Sequence, residues 1–79
     1  MTQQLHLYGR RDCHLCAEMK DALLMNAGGF VLLEFDVDED PDLSRIYGAR
    51  VPVLAFPDGT EICQYFLDED ALFRAMGLA

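Results

Sequence analysis

Two cysteines separated by two residues, Cys13-His14-Leu15-Cys16, fall where an extended segment gives way to a helical one. That placement constrains this chain more than any other feature. Upstream, Leu5-His6-Leu7-Tyr8 alternates as a short strand does, and Gly9 to Asp12 breaks the pattern. From Cys13 onward, Leu15, Met19 and Leu23 recur every four residues, with Glu18, Lys20 and Asp21 on the wet side, which predicts an amphipathic helix. Gly28-Gly29 is expected to end it, because glycine accepts the left-handed conformation common at helix ends.

The chemistry follows from the position. The first N–H groups of a helix lack intrahelical partners, and with the helix dipole they stabilise an anion at the N-cap. A Cys13 thiolate placed there is expected to form below the ~8.5 of a free cysteine. Arg10 and Arg11 favour the thiolate and Asp12 opposes it. Cys13 is then the attacking thiol and Cys16, one turn in, the resolving thiol, which exchanges a mixed disulfide for an intramolecular one. A lone C-x-x-C also resembles half of a zinc site; at a strand-to-helix junction in a βαβ pattern it points to redox chemistry.

The remaining elements can be read in order. Phe30 to Val37 predicts a second strand with Leu33, Phe35 and Val37 facing inward. A strand, a helix and a strand imply a parallel pair with a right-handed crossover. Asp40-Pro41 starts a short helix, capped by an acid with proline at the first position, with Leu43, Ile46 and Tyr47 on its apolar face and Gly48 at its end. Val51 to Phe56 is almost wholly apolar and predicts a central strand. Pro57-Asp58-Gly59 is a turn, Glu61 to Tyr65 a returning antiparallel strand, and Asp68 the cap of a last helix carrying Ala71, Leu72, Phe73 and Met76. Residues 1–79 are thus expected to form one α/β domain in the order βαβ, short helix, ββ, α.

Composition removes several classes. Six basic and 14 acidic residues give a net charge of −8, which disfavours nucleic acid as a partner. No apolar run reaches the ~20 residues of a membrane span, and Met1 to His6 has the features of no secretory leader. Three cysteines, two close and one distant, fit a reducing compartment better than a secreted disulfide framework. Cys63 reads as a small core residue and His6 as a hydrogen-bonded strand histidine. Tyr8 is either core or the wall of a substrate groove. Metal binding through Cys13 and Cys16 leaves only Cys63, His6 and His14 as further ligands, none at motif spacing, so no metal ligand is assigned.

Leu7-Tyr8-Gly9-Arg10-Arg11-Asp12-Cys13-His14-Leu15-Cys16 resembles the opening of glutaredoxin-like proteins of the thioredoxin superfamily, in particular a bacterial subgroup with C-H-L-C at the active site. Arg50-Val51-Pro52-Val53-Leu54 is similar to that family's second hallmark. The resemblance covers essentially the whole chain. It implies a thioredoxin/glutaredoxin-like fold with a four-stranded mixed sheet flanked by helices, and a small thiol–disulfide oxidoreductase. It further implies a cis Val51–Pro52 bond, with Pro52 beside the cysteine pair and the Val51 backbone available to an extended substrate. Arg11 and Arg50 are the candidates to pair with glutathione carboxylates, glutathione being a possible co-substrate rather than a bound cofactor. The segment Gln64-Tyr65-Phe66-Leu67-Asp68 departs from glutathione-using members, which carry two glycines where this chain has aromatics. The expected partners are a disulfide-bearing protein or small thiol and an unidentified reductant, met by a monomer in the cytoplasm. The other readings are metal binding through the pair, by zinc or an iron–sulfur cluster, and a non-catalytic interaction module.

Overall fold

In a computed structural model, which describes residues 3–25 and 29–77, the described residues form four strands and three α-helices. Strand β1 (Gln3–Gly9) lies beside β2 (Phe30–Asp36) in parallel register, from Gln3 opposite Phe30 to Gly9 opposite Asp36. Helix α1 (His14–Met25) makes the crossover between them. β1 also pairs antiparallel with β3 (Val53–Ala55), which pairs antiparallel with β4 (Glu61–Gln64). The sheet order is therefore β2-β1-β3-β4, a mixed sheet with β1 and the apolar β3 at its centre, as the continuous hydrophobic run of β3 predicts. Helix α2 (Pro41–Tyr47) and α3 (Glu69–Ala75) complete the α/β fold.

Local signals fix the ends of these elements. Asp40 Oδ1 accepts from the Asp42 N–H at 2.9 Å and Pro41 follows it into α2. Asp68 Oδ1 accepts from the Ala71 N–H at 3.0 Å at the start of α3. The β3–β4 turn carries Gly59 at φ +96°, a conformation open to glycine and costly for other residues. Gly29, at φ +75°, precedes β2; its expected partner in ending α1, Gly28, lies outside the described residues.

Each sheet face has its own core. Leu5, Leu7, Met19, Leu23, Leu54 and Leu72 are buried together between the sheet and helices α1 and α3, with Met76 half-buried against them. Tyr8, Val37, Tyr47, Val53 and Ala55 are buried on the opposite face, with Leu43 packed against them. Burial corrects the reading of β2. Phe30 and Leu32 face the α1 core, whereas Leu33 and Phe35 point to the other face and remain 39% and 36% exposed. Alternation favours the wrong set, because Val31, Leu33 and Phe35 are all apolar whereas Phe30 and Leu32 share their face with Glu34 and Asp36. The parallel register to β1 chooses, and α2 does not cover this edge strand. Val37 is buried, but in a 3-10 turn (Val37–Glu39) after the strand. Ile46 is likewise exposed rather than part of the buried face of α2.

Leu54 is fully buried on a central strand. Leu54→Ala is expected to lower unfolding free energy by about 2–5 kcal/mol, a large part of what a domain this size has. Urea denaturation measures it.

Candidate active site

Strand β1 ends at Gly9, and a turn through Asp12, at φ +57°, delivers the chain to Cys13. An acid tolerates this left-handed conformation better than most residues do. Cys13 is the N-cap of α1, one residue before the helical span expected from it. Its carbonyl accepts the first helical bond, from the Ala17 N–H at 3.1 Å, and its Sγ accepts from the Cys16 N–H at 3.2 Å. Sulfur thus occupies the role that a serine or aspartate oxygen plays at other helix starts. Cys13 and Cys16 form a disulfide with their Cα atoms 5.2 Å apart. Cys13 is half-buried and Cys16 buried, so an incoming group meets Cys13 first.

Gly9 lies under the pair. A Cβ built there would stand 3.0 Å from Cys16 Sγ and 3.2 Å from its Cβ, closer than packed atoms ordinarily sit. The close approach of Cys16 to the sheet therefore depends on a residue without a side chain. The β1–β3 register pairs Tyr8 with Val53; one step further along the same register, Gly9 stands across from Pro52. The Val51–Pro52 bond is cis, and Pro52 is fully buried. Strand β3 begins after it, at Val53 rather than at Val51, since proline has no N–H for the ladder. Among the described residues, neither the N–H nor the carbonyl of Val51 has a hydrogen-bond partner. The Pro52 carbonyl accepts from the Tyr65 N–H at 2.8 Å.

The arginines divide by environment. Arg11 is 85% exposed and reaches Asp36 and Glu39 only at 3.8 Å. With Cys13, Cys16 and Arg10 it lines a cleft of about 890 Å³ between the start of α1 and the end of β2. Arg10 holds Asp38 through two contacts of 3.3 Å. Arg50 lies outside that cleft. It donates to both carboxylate oxygens of Glu61, to Gln64 Oε1 at 2.9 Å and to the Ile46 carbonyl at 3.0 Å, and sits 5.6 Å over the Tyr47 ring. Its guanidinium is thus engaged within the protein. The hydrogen bonds from Arg50 hold the Glu61 carboxyl below its ordinary range, and the same pairing raises the Arg50 pKa.

The other candidate residues settle simply. His14 is exposed and pairs with Glu18 at 3.0 Å. His6 Nδ1 lies 3.2 Å from the Tyr8 hydroxyl. Tyr8 is buried and stacks on Tyr47 at 4.1 Å between ring centres, so it is core. Burial, more than the hydrogen-bond contribution of Tyr47, raises its pKa. Cys63 is a half-buried free thiol packed against the α1 core, its pKa pushed up by burial. Among the described residues, no group of three or more His, Cys, Asp or Glu side chains is placed to hold a metal ion, and no helix is long and apolar enough to cross a membrane.

Residues 4–77 match the family model described as Glutaredoxin-like domain (DUF836). The chain belongs to this glutaredoxin-like family. Solved structures agree. A protein from Nitrosomonas europaea, Ne2328, is 38% identical over 95% of this chain and 92% of its own, with a TM-score of 0.82. The protein XcR50 from X. campestris is 39% identical over 95% of this chain and 97% of its own, with a TM-score of 0.73. A thioredoxin-like protein, BC3987, shares the fold at 21% identity and a TM-score of 0.61, over 95% of this chain and 99% of its own. No curated protein matches the chain.

Within this glutaredoxin-like domain, the roles of two residues escaped the sequence reading. Gly9 read as a strand breaker, although a glycine so close to a C-x-x-C also signals a close approach. Tyr65 read as the last residue of β4, but the strand ends at Gln64 and Tyr65 takes φ +67°. The signal available was an aromatic standing where the resemblance places glycine.

The Arg50–Glu61 pair yields a pH prediction. A carboxyl whose pKa is lowered from 4.5 by folding adds stability above that value and loses it as pH falls through the lower folded value. Glu61→Gln is expected to flatten the decline of unfolding free energy below about pH 4.5, by no more than ~1 kcal/mol because both side chains are partly exposed. Denaturation at pH 7 and pH 3 compares the two proteins.

Proposed function

We propose that the protein is a thiol–disulfide oxidoreductase that exchanges its Cys13/Cys16 pair with protein or small-molecule disulfides. The observation that carries this reading is the Cys16 N–H donated to Cys13 Sγ at the start of a 12-residue helix. A donor already aimed at the sulfur stabilises the thiolate more than the thiol, and the helix dipole acts in the same sense. The family membership supports the same reading.

In the reducing direction, the Cys13 thiolate attacks one sulfur of the substrate disulfide. The substrate S–S bond breaks, a mixed disulfide forms on Cys13, and the departing sulfur leaves as a thiolate that takes up a proton. Cys16, having lost its proton, then attacks Cys13 Sγ. The Cys13–Cys16 bond closes and the second substrate thiol is released. Two electrons pass to the substrate, and an external dithiol or two monothiols, themselves oxidised to a disulfide, restore them to the pair, glutathione being the small-molecule candidate. We place this cycle in a reducing compartment such as the cytoplasm, where such pairs are catalytic rather than structural. Val51 offers its unpaired backbone groups to an extended substrate, and Arg11 is the exposed cation beside the pair.

Mutants test the order of events. Cys13→Ser is expected to abolish reduction of insulin, whereas Cys16→Ser should accumulate a mixed disulfide on Cys13 that mass spectrometry detects. Full activity in Cys13→Ser refutes the proposal. In the reduced protein, absorbance at 240 nm should show the Cys13 thiolate forming below the ~8.5 of a free cysteine. Iodoacetamide at neutral pH should label Cys13 well before Cys63, whose burial disfavours its thiolate.

A further inference from the structure

Tyr65 adopts φ +67°, a left-handed conformation that is strained for a bulky side chain. Strain of this kind persists only where surrounding contacts impose it, and it concentrates at functional sites. The contacts are visible here. The Tyr65 N–H donates to the Pro52 carbonyl at 2.8 Å, and its hydroxyl donates to the Ala49 carbonyl at 3.4 Å. The side chain is thereby laid along the segment from Ala49 to Pro52, yet stays 39% exposed. Within that segment, among the described residues, Val51 has an unpaired N–H and carbonyl. Sheet order puts this arrangement at the same end as the cysteines. The end of β1, the start of β3 and the end of β4 lie side by side, and Gly9 at the end of β1 touches Cys16.

We infer that Tyr65 is a specificity-determining residue that selects extended polypeptide disulfides over small-molecule disulfides, an inference that rests on the Cys13/Cys16 redox reading. An extended chain can pair its backbone with Val51 while a side chain next to its cysteine lies on the Tyr65 ring, a contact of the kind aromatic side chains favour. Bis(2-hydroxyethyl) disulfide has no peptide backbone to pair with Val51, and glutathione disulfide, whose cysteine is flanked by glycine and a γ-linked glutamate, has no apolar side chain to lay on the ring. On the Tyr65 side the charges also disfavour an anionic disulfide, the exposed Arg11 lying instead at the cleft between α1 and β2. Arg50 and Arg10 are held by Glu61 and Asp38, and Asp68, Glu69 and Asp70 follow closely in sequence.

The test is single-turnover reduction by the pre-reduced protein, followed by stopped flow, so that no reductase enters. The substrates are a disulfide-linked extended nonapeptide with leucine on both sides of its cysteine, bis(2-hydroxyethyl) disulfide and glutathione disulfide. Tyr65→Gly removes the ring and relieves the left-handed strain, so the variant retains its fold. It is expected to lower the ratio of peptide to small-disulfide rate constants by about 3- to 10-fold. Tyr65→Phe keeps the ring and should hold that ratio. A ratio unchanged or raised in Tyr65→Gly overturns the assignment of Tyr65 while leaving the redox pair in place. A wild-type protein that reduces none of the three overturns both readings.

Discussion

One backbone N–H, that of Cys16, binds the chemistry of this protein to its fold. It can reach Cys13 Sγ only because α1 begins at His14. The helix begins there because β1 stops at Gly9 and the turn through Asp12 aims the chain upward from the sheet. β1 in turn is fixed on both sides, parallel to β2 and antiparallel to β3. A half-buried sulfur is therefore held against a helix start by the central strand of the molecule. The first turn of that helix also packs closely on the sheet, since Cys16 rests on Gly9, where a Cβ would crowd it. Loss of either restraint would leave two ordinary thiols on a mobile turn.

Charge around this centre is organised by pairing rather than by excess. Arg10 with Asp38, Arg50 with Glu61, and Lys20 with Glu34 at 3.1 Å each join an element near the cysteines to a neighbouring strand, turn or helix. Exposed pairs of this kind add little to stability one by one. Their larger effect here is chemical. They occupy the cations that could otherwise bind carboxylates, in a chain whose net charge is −8. Arg11, the loosely paired exception, is left as the accessible cation at the cleft.

Signals carried by single residues or short spacings translated directly into structure: the Cys13–Cys16 pair at the helix start, the Asp40 and Asp68 caps, the Gly59 turn and the central β3. Signals that depend on neighbours distant in sequence did not. The inward face of β2 is set by its register with β1, and the two acids Glu34 and Asp36 on that face make the opposite one look like the core side. Ile46 matches the apolar face of α2 by spacing, but the helix is too short to bury the whole of it. Arg50 has the composition of a substrate ligand; only the approach of β4, which brings Glu61 and Gln64 to it, shows that its donors are already engaged. Backbone conformation was hidden too, because a tyrosine at φ +67° is what local preference argues against.

Pro52 connects these observations. On one side it stands across from Gly9, where the absence of a side chain lets Cys16 settle on the sheet. On the other its carbonyl receives the N–H of Tyr65, where a large side chain is held against its own preference. The smallest residue and a strained aromatic thus flank the same buried proline. The first sets how closely the thiol pair approaches the sheet, and the second lines the segment beside it. Both positions therefore meet at one junction between β1, β3 and β4, at the end of the sheet where the Cys13–Cys16 pair lies.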